Sequence, residues 1–467
     1  MRKPAALLRR LLRDKRGLSA VTVAVSLPVL FGVAGLGIDT GLWYTIKRQN
    51  QSAADAAALS AAYEVIAGNT NVATNLTPAA SQAATRNNYG GTTPVVTYPY
   101  SDAVVTGGVK VTLSQTQNAW FSSWFPAFTN FTIANEAVAA VNSLPPVCML
   151  VLGLNPPPSG SQNASNAGNL AGNPTINAPT CTIVSDSDST SAFHVQGSAT
   201  INAATMITPG QISHTGAAYT INLSYPAQTG ANVVPDPYAS TLTHAFLTTG
   251  MPAAPACAYN NGTHTWSPNC VVPGSSISAG DTLSASTQIS GGLSFKGGTV
   301  NLSPGTYWIT DGDLQLGPGG GGTTLQCSTC SNGGAGVTII LTTAKSKNGT
   351  VGTLTLNSLA NLNLNAPSSG TFAGMVLIQD SNGLPLGTTI NNTANVQANA
   401  GETLSGLVYF PNTAVTFQGG PSATGPQCLV LVANTVAMQG NPGFATSGCG
   451  SLGLNKLPIV KTVYLAE

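Results

Sequence analysis

At 467 residues the chain has room for two or three domains, or for one extended repeat domain with an anchor. Charged residues make up only 7%, against about a quarter in ordinary soluble proteins, which argues against a soluble cytoplasmic enzyme. The 42% apolar content and net charge of +1 exclude charge-driven disorder, and Gly, Ala, Ser, Thr, Asn and Val alternating with larger aliphatics point to strands and short turns.

Seven of the sixteen basic residues (Arg2, Lys3, Arg9, Arg10, Arg13, Lys15 and Arg16) lie in residues 1–16. They abut an uncharged run, residues 17–38, that spans roughly 33 Å as a helix and so can cross a hydrocarbon core of about 30 Å. Trp43 and Tyr44 follow where an interfacial aromatic belt sits. The positive flank predicts a cytoplasmic tail over 1–16, a transmembrane helix over 17–38, and everything beyond about residue 40 outside. The apolar run exceeds a signal-peptide core and lacks an A-x-A site, so an uncleaved single-pass anchor in the inner (cytoplasmic) membrane is expected, despite Pro28.

Helical spacing continues through Leu42, Ile46, Ala53, Ala57, Ala61 and Val65, with seven alanines between Ala53 and Ala62, and Gly68-Asn69 as the stop. One helix of about fifty residues is therefore predicted, half in lipid and half (39–68) outside. Its alanine face suits close packing, either as a stalk on its own domain or as a pilin-type helix in a filament. Residues 69–145 read as a small α+β unit, with a short helix at AASQAATRNNY and strands at GVKVTLSQT and NFTIANEAVAAV. Trp120, Phe121, Trp124, Phe125 and Phe128 are the densest aromatic cluster, expected as the core of that unit; a membrane-dipping patch is the alternative.

From 146 to 467 short strands recur: GNPTINA at 172, GSATINA at 197, LANLNLNAP at 359, NTANVQANA at 392, NTAVTFQGG at 412 and NTVAMQGNP at 434. Recurrence near 20 residues suits stacked coils that bury one another's faces, so a right-handed parallel β-helix is expected, with a β-sandwich pair as the alternative. The fold class is thus mainly β behind an N-terminal helix. Residues 317–336, rich in Gly, read as a loop thrown out from a coil.

All eight cysteines lie beyond residue 140, on the outer side of the expected membrane, which favours disulfides. They allow 105 pairings; joining sequence neighbours gives Cys148–Cys181, Cys257–Cys270, Cys327–Cys330 and Cys428–Cys449. The Cys327-x-x-Cys330 spacing also occurs in redox and metal sites, but no second C-x-x-C, nearby His or βαβ pattern accompanies it.

Catalytic signatures are lacking. Asp186 with Asp188, and Asp311 with Asp313, are the carboxylate pairs a glycan-cleaving β-helix would use, yet both sit in turn-like sequence. His194, His214, His244 and His264 show no metal-ligand spacing, and no phosphate loop or nucleophile elbow appears. No cofactor, metal, small-molecule substrate or nucleic-acid partner is expected, the last because little positive charge lies beyond the membrane.

Arg16-Gly17 before the apolar run, Gly37-Ile38-Asp39-Thr40-Gly41, and Gln51-Ser52-Ala53-Ala54-Asp55-Ala56-Ala57-Ala58-Leu59 together resemble the N-terminal segment of TadE/TadG-like Flp pilus-assembly proteins, over about residues 14–67. The long C-terminal region is more loosely similar to TadG-like proteins. The resemblance implies a non-enzymatic role in assembling, anchoring or presenting Flp-type pili for tight adherence, with other Tad/Flp machine proteins or pilins as partners. Pseudopilins of that system carry Glu at the fifth position after the cleaved Gly; here that position is Thr22, which favours a permanent anchor over a filament subunit. At Asp39 the resemblance suggests a partner contact at the membrane exit, against a plain interface marker; Asp55 reads as the solvated position of an amphipathic stripe, with capping of a neighbouring helix or pairing with a partner as the alternative. A surface adhesin binding glycans is the alternative to a pilus role.

Overall fold

The computed structural model describes residues 18–103, 105–121, 130–157, 160–216, 218–331, 333–357, 359–398, 403–419, 428–446 and 461–466. These fall into two compact units: Met1–Ser143 with Lys461–Glu467, and Leu144–Val460.

The first unit is organised by helix α1, Leu18–Ile66, 49 residues long and with Pro28 inside it. It is long and apolar enough to cross a membrane. Along its apolar half Val21, Val25, Val29, Leu30, Phe31 and Val33 are exposed. The polar side chains there turn inward: Ser26 Oγ donates to the Val23 carbonyl and Thr40 Oγ1 to that of Leu36, so neither hydroxyl asks for water. The far half is a different surface. Ala53, Ala54, Ala57, Ala58, Ala61 and Ala62 are all fully buried, and methyl-sized side chains let the helix approach closely. Gly68, at φ +89°, closes it, its N–H bonding back to the Val65 carbonyl.

That alanine face packs against helix α2 (Thr77–Arg86) and an antiparallel sheet. The sheet comprises β1 (Val95–Tyr100), β2 (Gly108–Asn118), β3 (Asn130–Ser143) and the terminal strand Lys461–Ala466, in that order. Residues 461–466 were expected to continue the repeat region; instead they pair with β3, Val138 opposite Ala466 and Ser143 opposite Lys461. The terminal strand thereby covers the edge that β3 would otherwise leave unpaired. For two of the five clustered aromatics the structure also departs from the core expectation. Trp120 and Phe121 are not core but exposed, at 74% and 49%, and Trp124, Phe125 and Phe128 lie outside the described residues.

The second unit is mainly parallel strands, each paired with one a repeat further along. Ala360–Asn365 shows the rule: Ala360, Leu362 and Leu364 point in, the intervening asparagines out. Like residues stack. Thr175, Ile176 and Asn177 lie beside Thr200, Ile201 and Asn202, which lie beside Thr220, Ile221 and Asn222. Asn222 Nδ2 donates to Asn202 Oδ1 at 2.8 Å, continuing the ladder. Gly440, Gly172 and Gly197 hold positive φ at one turn of successive strands, and a Cβ on Gly197 would lie 2.5 Å from the Gly172 carbonyl oxygen. Residues 317–336 are not simply a loop: Thr323–Gln326 is a strand between Gly298–Leu302 and Ala360–Asn365.

The stacking order is not the sequence order. One column starts at Cys270–Pro273 and proceeds through the strands at 287, 305, 337, 375, 403 and 429. It then continues onto Val147–Val151 and the strands at 182, 205 and 228, through ten successive parallel pairings. The first strands of the unit thus stack on its last. The chain must return from one end of the column to the other, roughly 50 Å at about 4.8 Å per strand. Residues 230–256 make that journey as a strap along the outside, from Val234 beside Asp186 to Ala256, which bridges to Val271.

Candidate functional site

Two places gather polar and titratable groups. The first is where α1 leaves its apolar run. Asp39 is 1% exposed, and its carboxylate accepts the backbone N–H groups of Trp120 (3.2 Å) and Phe121 (3.1 Å). A buried carboxylate needs such donors, and here it holds the backbone of Trp120 and Phe121 on the helix. Just over three turns on, Gln51 ties α1 to β3 and to itself. Its Nε2 donates to the Glu136 carbonyl and to Asp55 Oδ1, while Asn135 Nδ2 donates to its Oε1. Asp55 is thus held by Gln51 within the first unit. Ala54 and Ala57 are in the helix–sheet seam, Leu59 is half-buried against it, and Gly41 faces open space. Arg16 and Gly17 lie outside the described residues. Between these groups Thr40, Trp43, Tyr44 and Lys47 line a groove with Phe131–Ala134, Trp43 stacking on Phe131 at 4.8 Å.

The second place is the strap of the second unit. Val234 N–H donates to Asp186 Oδ1 at 2.8 Å; Tyr409 O–H donates to Asp236 Oδ2 at 2.8 Å; Asp380 Oδ2 lies 2.6 Å from both His244 Nδ1 and Thr342 Oγ1. Trp308 Nε1 donates to the Leu247 carbonyl, and Phe246 meets Phe372 edge to face. Val234, Tyr238, Leu242 and Leu247 form with Trp308, Ile340 and Tyr409 an apolar layer outside the parallel strands. Burial away from water pushes the Asp186 carboxyl up to about 7, the Val234 N–H opposing the shift and the nearby Asp236 adding to it. Burial likewise raises Asp236 and Asp380, in the second case against hydrogen bonds from Thr342 and His244. No spacing in the sequence signals these contacts, since the partners come from separate repeats.

Of the four carboxylates weighed for glycan chemistry, Asp186, Asp311 and Asp313 are engaged in structural contacts, and Asp188 is exposed on the surface. Asp311 accepts from Thr343 Oγ1 at 2.6 Å and pairs with Lys345; Asp313 accepts from the Thr353 N–H and Asn391 Nδ2. His194 bonds Ser213, His264 bonds Tyr259, and His214 stacks on Tyr219. Among the described residues no group of three or more His, Cys, Asp or Glu could hold a metal ion. Disulfides join Cys148 to Cys181, Cys257 to Cys270 and Cys327 to Cys330. Cys428 is buried and disulfide-bonded, and Cys449 lies outside the described residues.

Residues 17–64 match the Tad family model, described as Flp pilus-assembly TadE/G-like. The match covers the apolar run and nearly all of the alanine face of α1. No curated protein and no solved structure matches the chain.

Proposed function

With a Flp pilus-assembly TadE/G-like segment at residues 17–64, we propose that this chain is a non-enzymatic, membrane-anchored component of Tad/Flp pilus assembly that anchors or presents pili. The observation that carries the reading is that the matched segment is one continuous helix, apolar and exposed over its first half, and packed by alanines over its second. Residues 1–16 lie in the cytoplasm by the positive-inside rule, and the chain beyond about residue 40 lies outside, where disulfides persist. The stacked strands are read as a parallel β-helix that offers a weakly charged face to pilins or other machine components. A role without bond-making chemistry is supported by the carboxylates' engagement in backbone and strap contacts.

A second reading, a surface adhesin, is favoured by the outward asparagine ladder at Asn177, Asn202 and Asn222, whose amides suit glycan hydroxyls. Deleting the gene and imaging surface pili separates the two. Loss of pili, restored by the full chain, is expected. Normal piliation with reduced attachment to glycan surfaces would favour the adhesin, and normal piliation with normal adherence would contradict both.

A further inference from the structure

The two residues at 120 and 121, just after β2, are odd for a stable unit: Trp120 and Phe121 are large, apolar and exposed, yet their backbone is fixed. The two N–H groups bound by Asp39 hold it, and Phe121 lies on α1 at Gly35, where a Cβ would come 2.6 Å from Phe121 Cβ. Gly35 is inside the apolar run, one turn before its end at Ile38. At 1.5 Å per residue it lies about 5 Å below the outer edge of the hydrocarbon core, the depth at which interfacial aromatics sit. The glycine and the carboxylate therefore place an aromatic pair where the helix crosses from lipid to headgroups.

We propose that the Trp120–Phe121 loop is a second membrane contact, inserted into the outer leaflet beside α1, and that Asp39 is its positioning residue. The inference rests on reading residues 17–38 as a span. Lipid is chosen over a protein partner because the pair is continuous with the exposed apolar face of α1, with Val29, Leu30, Phe31 and Val33 below it. Such a contact gives the first unit two points of attachment, which restricts its swing about the helix.

Nitroxide labels in the full chain, reconstituted in phosphatidylcholine nanodiscs, test this through collision with oxygen (lipid-soluble) and a nickel chelate (water-soluble). Trp120→Cys is expected to report lipid, with oxygen collisions dominant, as is Val29→Cys in the span; adding Asp39→Ala is expected to move the position-120 label toward the aqueous pattern. A lipid signal at 29 with an aqueous signal at 120 overturns the loop and leaves the span. Aqueous signals at both overturn the span. A label at 120 shielded from both reagents overturns the lipid contact in favour of a protein one. As a check on the unsubstituted loop, brominated lipids should quench tryptophan emission more in the native chain than in Trp120→Phe; equal quenching would contradict insertion.

Discussion

Ala57→Asp is expected to unfold the first unit and abolish any function that depends on it. Ala57 is fully buried where α1 meets α2 and the sheet, in a seam whose close approach rests on methyl-sized side chains. Aspartate there adds volume and a charge without a partner, costing on the order of 3–5 kcal/mol, a large share of the roughly 5–15 kcal/mol that holds a domain folded. Ser52→Asp, an exposed position on the same helix, controls for the charge and should be nearly neutral. Limited proteolysis in detergent measures the effect: rapid cutting within residues 40–143 is expected for Ala57→Asp alone. Equal resistance of the two variants would show that the alanine face is not the seam.

The strap should make the second unit less stable as pH rises, and Asp186→Asn should remove much of that dependence. Asp186 has its pKa raised by burial from 3.8 to about 7. Below about pH 4 folded and unfolded chains both keep the proton. Between about 4 and 7 the folded chain binds more protons than the unfolded one, so stability falls with pH and then levels off. Three pKa units correspond to a ceiling on the order of 4 kcal/mol. Asp236 and Asp380, also raised by burial, act in the same direction. Asparagine keeps the acceptor for the Val234 N–H and does not titrate, so its urea midpoint should decline less between pH 4 and 7.5 and exceed the native one at pH 8. The buried Trp308, bonded to the strap at Leu247, provides the fluorescence signal. Parallel native and variant profiles would contradict the burial of Asp186 beneath the strap.

How much of this was legible follows from the range of each interaction. The 49-residue helix could be read directly, because an uncharged run, an alanine-rich periodicity and a Gly-Asn stop are all local. The repeats at 392, 412 and 434 could be read too: Thr393 pairs with Ala414, and Ala414 with Thr435. What escaped was non-local. Nothing in Leu429–Gly440 announces that it pairs with Val147–Val151 rather than ending the stack, because any strand with the same in–out alternation can follow any other. That choice forces the strap, which is Pro- and Ala-rich without periodicity and so reads as an ordinary loop. Lys461–Ala466 likewise has a strand pattern but no local sign of its partner β3. Trp120 and Phe121 depart from the core expectation because composition favours burying Trp and Phe, and only the contacts of Asp39 and Gly35 reveal two exposed residues held in place.

Thiol state combined with fractionation tests the topology most directly. The chain should stay in the membrane pellet through a high-salt wash and take up no maleimide–polyethylene glycol in denaturant until reductant is added. A full-length chain in the soluble cytoplasmic fraction, with its cysteines reacting without reductant, would contradict a tethered body folded beyond the bilayer.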